Sequence, residues 1–107
     1  MAIIARVPLA SGLLTGKMNS QSSFPENDHR NYNINGDAFD VGETFSGINF
    51  AKGLEAVEEL KKIKPSDFSL TDLSLKWILS HPEVTVVIPG AKNKIQAEIN
   101  VKASELN

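Results

Sequence analysis

The chain has 107 residues, of which 41% are hydrophobic and 22% charged, and its formal net charge at pH 7 is −2. This length suits one small domain with its own core, and the near-neutral charge argues against a nucleic-acid-binding or polybasic membrane-binding protein. The chain has no cysteine, which excludes disulfides and thiolate metal sites. We therefore expect a cytoplasmic protein without metal.

The chain opens with a predicted strand and a turn-rich segment. Residues 2–7 (AIIARV) are mostly apolar and predict a short strand, which Pro8 ends. Residues 8–17 (PLASGLLTGK) predict a compact segment of turns. The GLLTGK within it has three residues between its glycines and is followed by Met, so it does not match a phosphate-binding P-loop.

Residues 18–48 form a long predicted loop, rich in Asn, Ser, Asp and Gly and with little periodicity. Compact domains rarely carry so long a structureless loop unless it is a functional lid or is disordered. Aromatic residues are scarce in disordered linkers, so their presence here favours partial order: Phe24, Tyr32, Phe39 and Phe45.

One polar cluster and one isolated histidine are candidates for chemistry. Asp28-His29-Arg30 can be a catalytic cluster or a loop anchor in which Asp28 and Arg30 pair locally, and we favour the anchor. His81 follows a predicted helix, where partial positive charge is favourable, so we expect it to cap that helix. Two histidines do not make a convincing metal site.

Two helices are predicted between the loop and the second strand. Residues 49–62 carry an apolar stripe at helical spacing: Phe50, Leu54, Val57 and Leu60. The next helix begins after Ser69, which forms a capping-box pattern with Asp72, and runs to about Ser80. Its expected inward-facing residues are Leu70, Leu73, Trp77 and Ile78.

Residues 84–88 (VTVVI) are mostly β-branched and predict a strand buried on both faces, which Pro89-Gly90 ends. A last helix begins near Asn93, with an apolar stripe formed by Ile95, Ile99, Ala103 and Leu106.

The turn between this strand and the last helix is a candidate phosphate site. A strand, a Gly turn and a helix N-terminus bring backbone N–H groups and a positive dipole end to one point, and Lys92 adds a full charge. Asn93 and Gln96 also fit plain capping geometry, which remains an alternative explanation for both.

The order of elements is strand, loop, helix, helix, strand and helix, which predicts an α/β fold with parallel strands joined by a helical crossover. Two strands do not make an independent sheet, and both would leave edges open to pairing. We therefore expect the chain to be a part of something larger.

Two segments resemble one known family. Residues 5–17 (ARVPLASGLLTGK) resemble the segment that follows the seventh strand of aldo-keto reductases. Residues 77–82 (WILSHP) with residues 84–100 resemble that family's last barrel helix, its eighth strand and the helix behind the cofactor adenosine. Order and spacing agree over nearly the whole chain.

The resemblance implies the C-terminal portion of a (β/α)8 TIM barrel, containing strands 7 and 8 with flanking helices. Residues 18–48 correspond to a flap that closes over the cofactor. The family uses NADP(H) to reduce aldehydes and ketones to alcohols. Its Asp, Tyr, Lys and His tetrad comes from earlier strands, so the resemblance implies no catalytic residue here and an isolated chain that is inactive.

The resemblance also implies the first cofactor contacts. Arg6 stands where many members have an aromatic residue that stacks on the nicotinamide ring, and a guanidinium can stack in the same way. Leu9 and Ser11 would approach the pyrophosphate. Lys17 would neutralise phosphate charge.

The remaining implied contacts lie in the second half of the chain. Gly90 and Lys92 would surround the 2′-phosphate of NADP, and Gln96 would reach the adenosine phosphate or ribose. Asn100 would contact the adenine edge, where Ile99 replaces the Glu of many members and removes one hydrogen bond.

The alternative is a non-catalytic barrel fragment that binds nucleotide or associates with copies of itself or with a complementary fragment. Under the first interpretation the partners are a nicotinamide nucleotide and, in a full-length parent, a small carbonyl substrate. Neither interpretation includes nucleic acid or membrane.

Overall fold

The computed structural model describes residues 1–106. Its strands are β1 (Ile4–Arg6) and β2 (Val86–Ile88). Its α-helices, in chain order, are α1 (His29–Tyr32), α2 (Phe50–Ile63), α3 (Leu70–Leu79) and α4 (Lys94–Lys102). These elements fall into two compact units, which we call the strand unit (residues 1–9 and 64–106) and the loop unit (Ala10–Ile63).

The two strands of the strand unit pair in parallel, as the sequence predicts. Ile4 lies opposite Val86 and Arg6 lies opposite Ile88. One further backbone bond, from the Thr85 N–H to the Ile3 carbonyl at 2.9 Å, extends the pairing toward the chain start. Both strands are shorter than their predicted ranges.

The prediction that the second strand is buried on both faces is wrong. The exposed fraction of the residue is 42% at Val86 and 53% at Ile88, and Ile4 beside them is 61% exposed. A strand is buried on both faces only when neighbours flank both of its edges and a layer covers each face. In this two-stranded sheet each strand has one partner.

Helix α3 begins with the predicted capping box. The Asp72 N–H donates to Ser69 Oγ at 3.0 Å, and the Ser69 N–H donates to Asp72 Oδ2 at 2.9 Å. Leu75 is buried, but Trp77, predicted to face inward, is 65% exposed. Two residues along a helix are separated by about 200° of rotation, so Leu75 and Trp77 lie on opposite faces.

The C-terminal end of α3 is capped by His81, as predicted. His81 Nδ1 lies 2.9 Å from the Trp77 carbonyl, and its N–H donates to the Ile78 carbonyl at 3.2 Å. The two rings also meet edge to face with their centroids 4.5 Å apart. Both ring and backbone therefore satisfy carbonyls that the helix end leaves without partners.

The predicted apolar stripe on the last helix is wrong in its first half. Ile95 and Ile99 are exposed, whereas Ala103 is fully buried in the 3₁₀ turn Ala103–Glu105 that follows α4. That turn packs on α3. The helix is thus held at its C-terminal end, and its N-terminal end directly follows residues 89–93.

In the loop unit, α2 buries the predicted stripe around Val57 and ends at Ile63, just before Lys64-Pro65. Gly53 lies on the same buried face. A Cβ added to Gly53 would come within 2.6 Å of Leu13 Cδ2, so the absence of a side chain lets α2 and the 3₁₀ turn Leu13–Thr15 meet.

Aromatic side chains give the segment of residues 18–48 partial order, as predicted. The ring of Phe45, fully buried, lies 4.8 Å from Phe50 and 5.9 Å from Phe24 between centroids. Helix α1 and the 3₁₀ turns Val41–Glu43 and Phe45–Gly47 lie in the same segment. Its backbone is therefore organised around a small aromatic core.

Asn33 is a buried polar centre of this segment that the sequence did not reveal. Its Oδ1 accepts from the N–H groups of Ala38 and Phe39 at 2.9 and 2.8 Å. Its Nδ2 donates to Thr44 Oγ1 at 3.1 Å. Asn33 and Thr44 are both almost fully buried, so these bonds replace the hydrogen bonds that water would supply.

Candidate functional site

The corner that follows β2, which we define as residues 89–93, is built by its own hydrogen bonds. Asn93 Oδ1 accepts from the Gln96 N–H at 2.9 Å and caps α4, as predicted. Gln96 Oε1 accepts in turn from the Lys92 N–H at 2.8 Å. The first turn of α4, with its positive dipole end, is thereby fixed against the corner.

A third bond closes the corner from further along the helix. Asn100 Nδ2 donates to the Gly90 carbonyl at 3.1 Å. Four predicted site residues therefore meet here: Gly90, Lys92, Gln96 and Asn100. Because Gln96 Oε1 accepts from the backbone, Nε2 is the group that Gln96 can offer to an anion, and Asn100 can still offer its Oδ1.

The corner is open. Gly90 and Lys92 are exposed, and no heavy atom lies within 4 Å of the position that a Cβ on Gly90 would take. The φ of Gly90 lies outside the left-handed region. Neither the backbone conformation nor the packing within residues 1–106 requires a glycine at this position, and a Cβ here would meet only open space.

Arg6 and Leu9 belong to the same unit as the corner. Arg6 pairs with Ile88, two residues before Gly90, so the carboxyl ends of both strands and the corner lie at one end of the sheet. Val7, with a φ of 52°, turns the chain sharply after β1. Leu9, half-buried, follows that turn.

Ser11 and Lys17 belong to the loop unit. Ser11 Oγ accepts from the Phe45 N–H at 3.2 Å and donates to the Glu43 carbonyl at 3.4 Å. The Ser11 hydroxyl is thus engaged within the unit, and the Ser11 carbonyl accepts from Arg30 Nη1 at 3.3 Å. Lys17 is exposed.

The predicted pairing of Asp28 with Arg30 is confirmed. Arg30 Nη2 and Nε donate to the two carboxylate oxygens of Asp28 at 2.7 and 3.0 Å, and both side chains are about one-fifth exposed. The hydrogen bonds from Arg30 lower the pKa of Asp28 to about 2. Asp28 Oδ1 also accepts from the Arg30 N–H at 2.9 Å and so caps α1.

Sequence reasoning missed what else Arg30 contacts. Its Nη1 donates to the Ser11 carbonyl at 3.3 Å, nineteen positions away, and its guanidinium carbon lies 4.4 Å from the centroid of the Phe24 ring. The aromatic residues near Arg30 in the sequence were the one available signal. No local pattern pointed to Ser11.

We expect the Asp28–Arg30 pair to make the stability of the loop unit depend on pH. The pKa of this carboxyl is about 2 in the folded chain, against an ordinary 3.8. At pH values above 3.8 the pair therefore contributes roughly 2 kcal/mol to the free energy of unfolding. That contribution is lost as the pH falls from about 4 through 2. Urea unfolding across this range should show the loss in the unaltered chain and a much smaller one in Asp28→Asn. The exposed Asp67→Asn is the control, and an equal pH response of all three proteins would contradict the assignment.

Residues 1–106 contain neither a membrane-spanning helix nor a cluster of metal ligands. No helix in this range has the length and apolar character needed to cross a membrane. Within the same range, no three His, Cys, Asp or Glu side chains are grouped so that they could hold a metal ion.

Comparison with known proteins matches the model of the aldo/keto reductase family to residues 1–107. Aldo-keto reductase str7 of Strobilurus tenacellus is 36% identical over 107 residues, which are 99% of this chain and 29% of that protein. Aldo-keto reductase yakc of Schizosaccharomyces pombe, whose name specifies NADP(+), is 32% identical over 104 residues, 96% of this chain and 28% of its own length. A probable voltage-gated potassium channel subunit beta of Arabidopsis thaliana is 33% identical over 104 residues, 92% of this chain and 28% of its own.

Proposed function

Because the chain belongs to the aldo/keto reductase family, we propose that it supplies cofactor-binding elements of an NADP(H)-dependent oxidoreductase that reduces aldehydes and ketones to alcohols. The family implies a (β/α)8 barrel. We assign β1 and β2 to its seventh and eighth strands, with residues 18–48 as the flap. Their parallel pairing across a helical crossover supports that assignment. The chain spans 29% of the length of its relative str7.

The observation that carries the proposal is the open corner after β2. A helix N-terminus, an exposed lysine and a glycine with free space beside it lie together, and this is the arrangement that suits a phosphate group. The name of the relative yakc specifies NADP(+), which favours the 2′-phosphorylated nucleotide.

The cofactor, when bound, supplies the hydride for reduction of the carbonyl. In our assignment, Lys92 and the first N–H groups of α4 balance the charge of the 2′-phosphate beside Gly90. Gln96 donates through Nε2 to the adenosine phosphate or ribose, and Asn100 contacts the adenine edge. A charge-assisted bond to phosphate is about twice as strong as a neutral one, so Lys92 is the main determinant of this end.

We assign the contacts with the other end of the cofactor to residues in the first part of the chain. Arg6 stacks on the nicotinamide ring, and Leu9 lines the approach to the pyrophosphate. Lys17 neutralises phosphate charge. Ser11 contributes through its backbone, because its hydroxyl bonds to the backbone of residues 43 and 45.

We assign no catalytic residue to this chain. Hydride transfer to a carbonyl needs a positioned acid within hydrogen-bond reach of the carbonyl oxygen, and we place the family's tetrad on strands other than β1 and β2. The chain alone is therefore expected to bind NADPH and to reduce no carbonyl.

The test is a titration of the purified chain with NADPH, followed by fluorescence, together with an assay of 4-nitrobenzaldehyde reduction. We expect saturable binding without turnover, and measurable turnover would overturn our placement of the tetrad. Gly90→Ala is the matched variant. It should leave the free energy of unfolding unchanged or raise it by about 0.4–1 kcal/mol, and it should weaken NADPH binding. Unchanged binding would mean that the phosphate does not approach Gly90.

A second candidate function is self-association or association with a complementary barrel fragment. The exposed apolar side chains of Ile4, Val86 and Ile88 on one small sheet favour it, because such a face and its open edges are stabilised by a further strand. Sedimentation at increasing concentration tests it, and a compact monomer at all concentrations would count against self-association.

A further inference from the structure

Residues 10–12, which we call the turn, have a backbone conformation of high energy. Three successive residues, Ala10, Ser11 and Gly12, have φ angles of 48°, 60° and 92°. The left-handed conformation costs a residue other than glycine roughly 1–2 kcal/mol, so Ala10 and Ser11 adopt it only because their surroundings hold them there. Strain of this kind is concentrated at ligand clamps and active sites.

Two sets of hydrogen bonds hold Ser11. On one side its hydroxyl bonds to the backbone of Glu43 and Phe45, at 3.4 and 3.2 Å. On the other side its carbonyl accepts from Arg30 Nη1 at 3.3 Å. Thr15 Oγ1 donates to the neighbouring Gly12 carbonyl at 2.7 Å, whereas the half-buried Arg30 bonds the turn at Ser11 from a position nineteen residues away.

Arg30 is itself fixed in place. Asp28 takes its Nε and Nη2 in a bidentate pair, and the face of the Phe24 ring lies 4.4 Å from the guanidinium carbon. These contacts leave Nη1 directed at Ser11. A planar guanidinium can make all three contacts at once, whereas the ammonium of a lysine cannot.

We propose that Arg30 is a positioning residue, which fixes the Ser11 carbonyl and so keeps residues 10–12 in the conformation that meets the cofactor phosphates. This inference rests on the proposed function, since it takes residues 10–12 as part of the nucleotide site. Asp28 neutralises the charge of Arg30, so Arg30 acts through the turn and not as a ligand of the phosphate.

Asp28→Asn separates positioning from simple charge attraction. Asparagine caps a helix as well as aspartate does, so α1 keeps its cap. The amide, however, puts an NH₂ group where Arg30 Nη2 now donates. Removing a negative charge should strengthen NADPH binding if only the electrostatic field matters. It should weaken binding if Arg30 must be held to hold Ser11.

The experiment measures the NADPH dissociation constant of the unaltered chain, Asp28→Asn, Arg30→Lys and the control Glu26→Gln, an exposed acid of the same loop. In the same proteins, the intraresidue HN–Hα NOE of Ser11 reports the left-handed φ. We expect Asp28→Asn and Arg30→Lys to weaken both the NOE and the binding, the latter about tenfold if a tenth of the molecules keep the competent turn. Glu26→Gln should change neither.

Binding that is unchanged or tighter in Asp28→Asn, or a Ser11 NOE that survives in both variants, would overturn the positioning role. A loop unit that unfolds in both variants would reduce Arg30 to a structural residue and overturn it as well. If the unaltered chain binds no NADPH, the proposed function fails by itself, and the NOE still decides whether Arg30 fixes the turn.

Discussion

Replacing Phe45 with alanine is expected to lower the free energy of unfolding of the loop unit by about 3–5 kcal/mol. Phe45 is fully buried, and its ring forms a triangular cluster with those of Phe24 and Phe50. Alanine would leave a cavity that the surrounding backbone, tied through Ser11, cannot easily close. Small domains have about 5–15 kcal/mol of stability in total, so this loss is a large share of it and should move the urea midpoint to a much lower concentration.

Urea unfolding followed by far-UV circular dichroism measures the effect, and Phe39→Ala is the matched control. Phe39 is 40% exposed, and its ring centroid lies 6.1 Å from that of Tyr32, edge to face, and 6.2 Å from that of His29, in a tilted arrangement. The control should cost far less than Phe45→Ala. Equal costs for the two variants would show that the three-phenylalanine cluster is not the core of this segment.

The features that the sequence predicted are local ones. The capping box of Ser69 and Asp72, the cap of Asn93 and the pairing of Asp28 with Arg30 each involve residues two or three positions apart. Such contacts depend on backbone geometry that the same few residues determine. The parallel pairing of β1 with β2 was predictable for a different reason, because a crossover containing helices brings successive strands together in the same direction.

The features that the sequence did not predict depend on distant partners. Whether Val86 and Trp77 are exposed depends on which elements pack beside them. The sequence shows the same apolar residue whether or not such a neighbour is present. The bonds of Ser11 to the backbone of residues 43 and 45 join positions more than thirty apart. Asn33 looked like one of many polar loop residues, and its role comes from burial alone. At the corner after β2, the sequence predicted the cap from Asn93 but not the bonds that engage Gln96 and Asn100.

Replacing Lys92 with alanine should weaken NADPH binding roughly 10- to 100-fold and leave NADH binding nearly unchanged. The two nucleotides differ by the 2′-phosphate, which in our assignment is the group that Lys92 contacts. A hydrogen bond to a charged group is worth about 1.5–3 kcal/mol, and that energy converts to this range of affinity. The side chain of Lys92 is exposed, and the bond that organises the corner comes from its backbone N–H, so alanine should leave the corner intact.

Lys94→Ala is the control that separates a specific contact from a general loss of positive charge. Lys94 is exposed in the first turn of the same helix and lies 3.7 Å from Glu98, a distance at which an exposed ion pair contributes little. Titrations of both variants with both nucleotides should therefore show one large change, that of NADPH with Lys92→Ala. Equal weakening of NADPH and NADH by Lys92→Ala would mean that Lys92 does not read the 2′-phosphate. Equal weakening of NADPH by the two variants would mean that the corner attracts anions only through its overall charge.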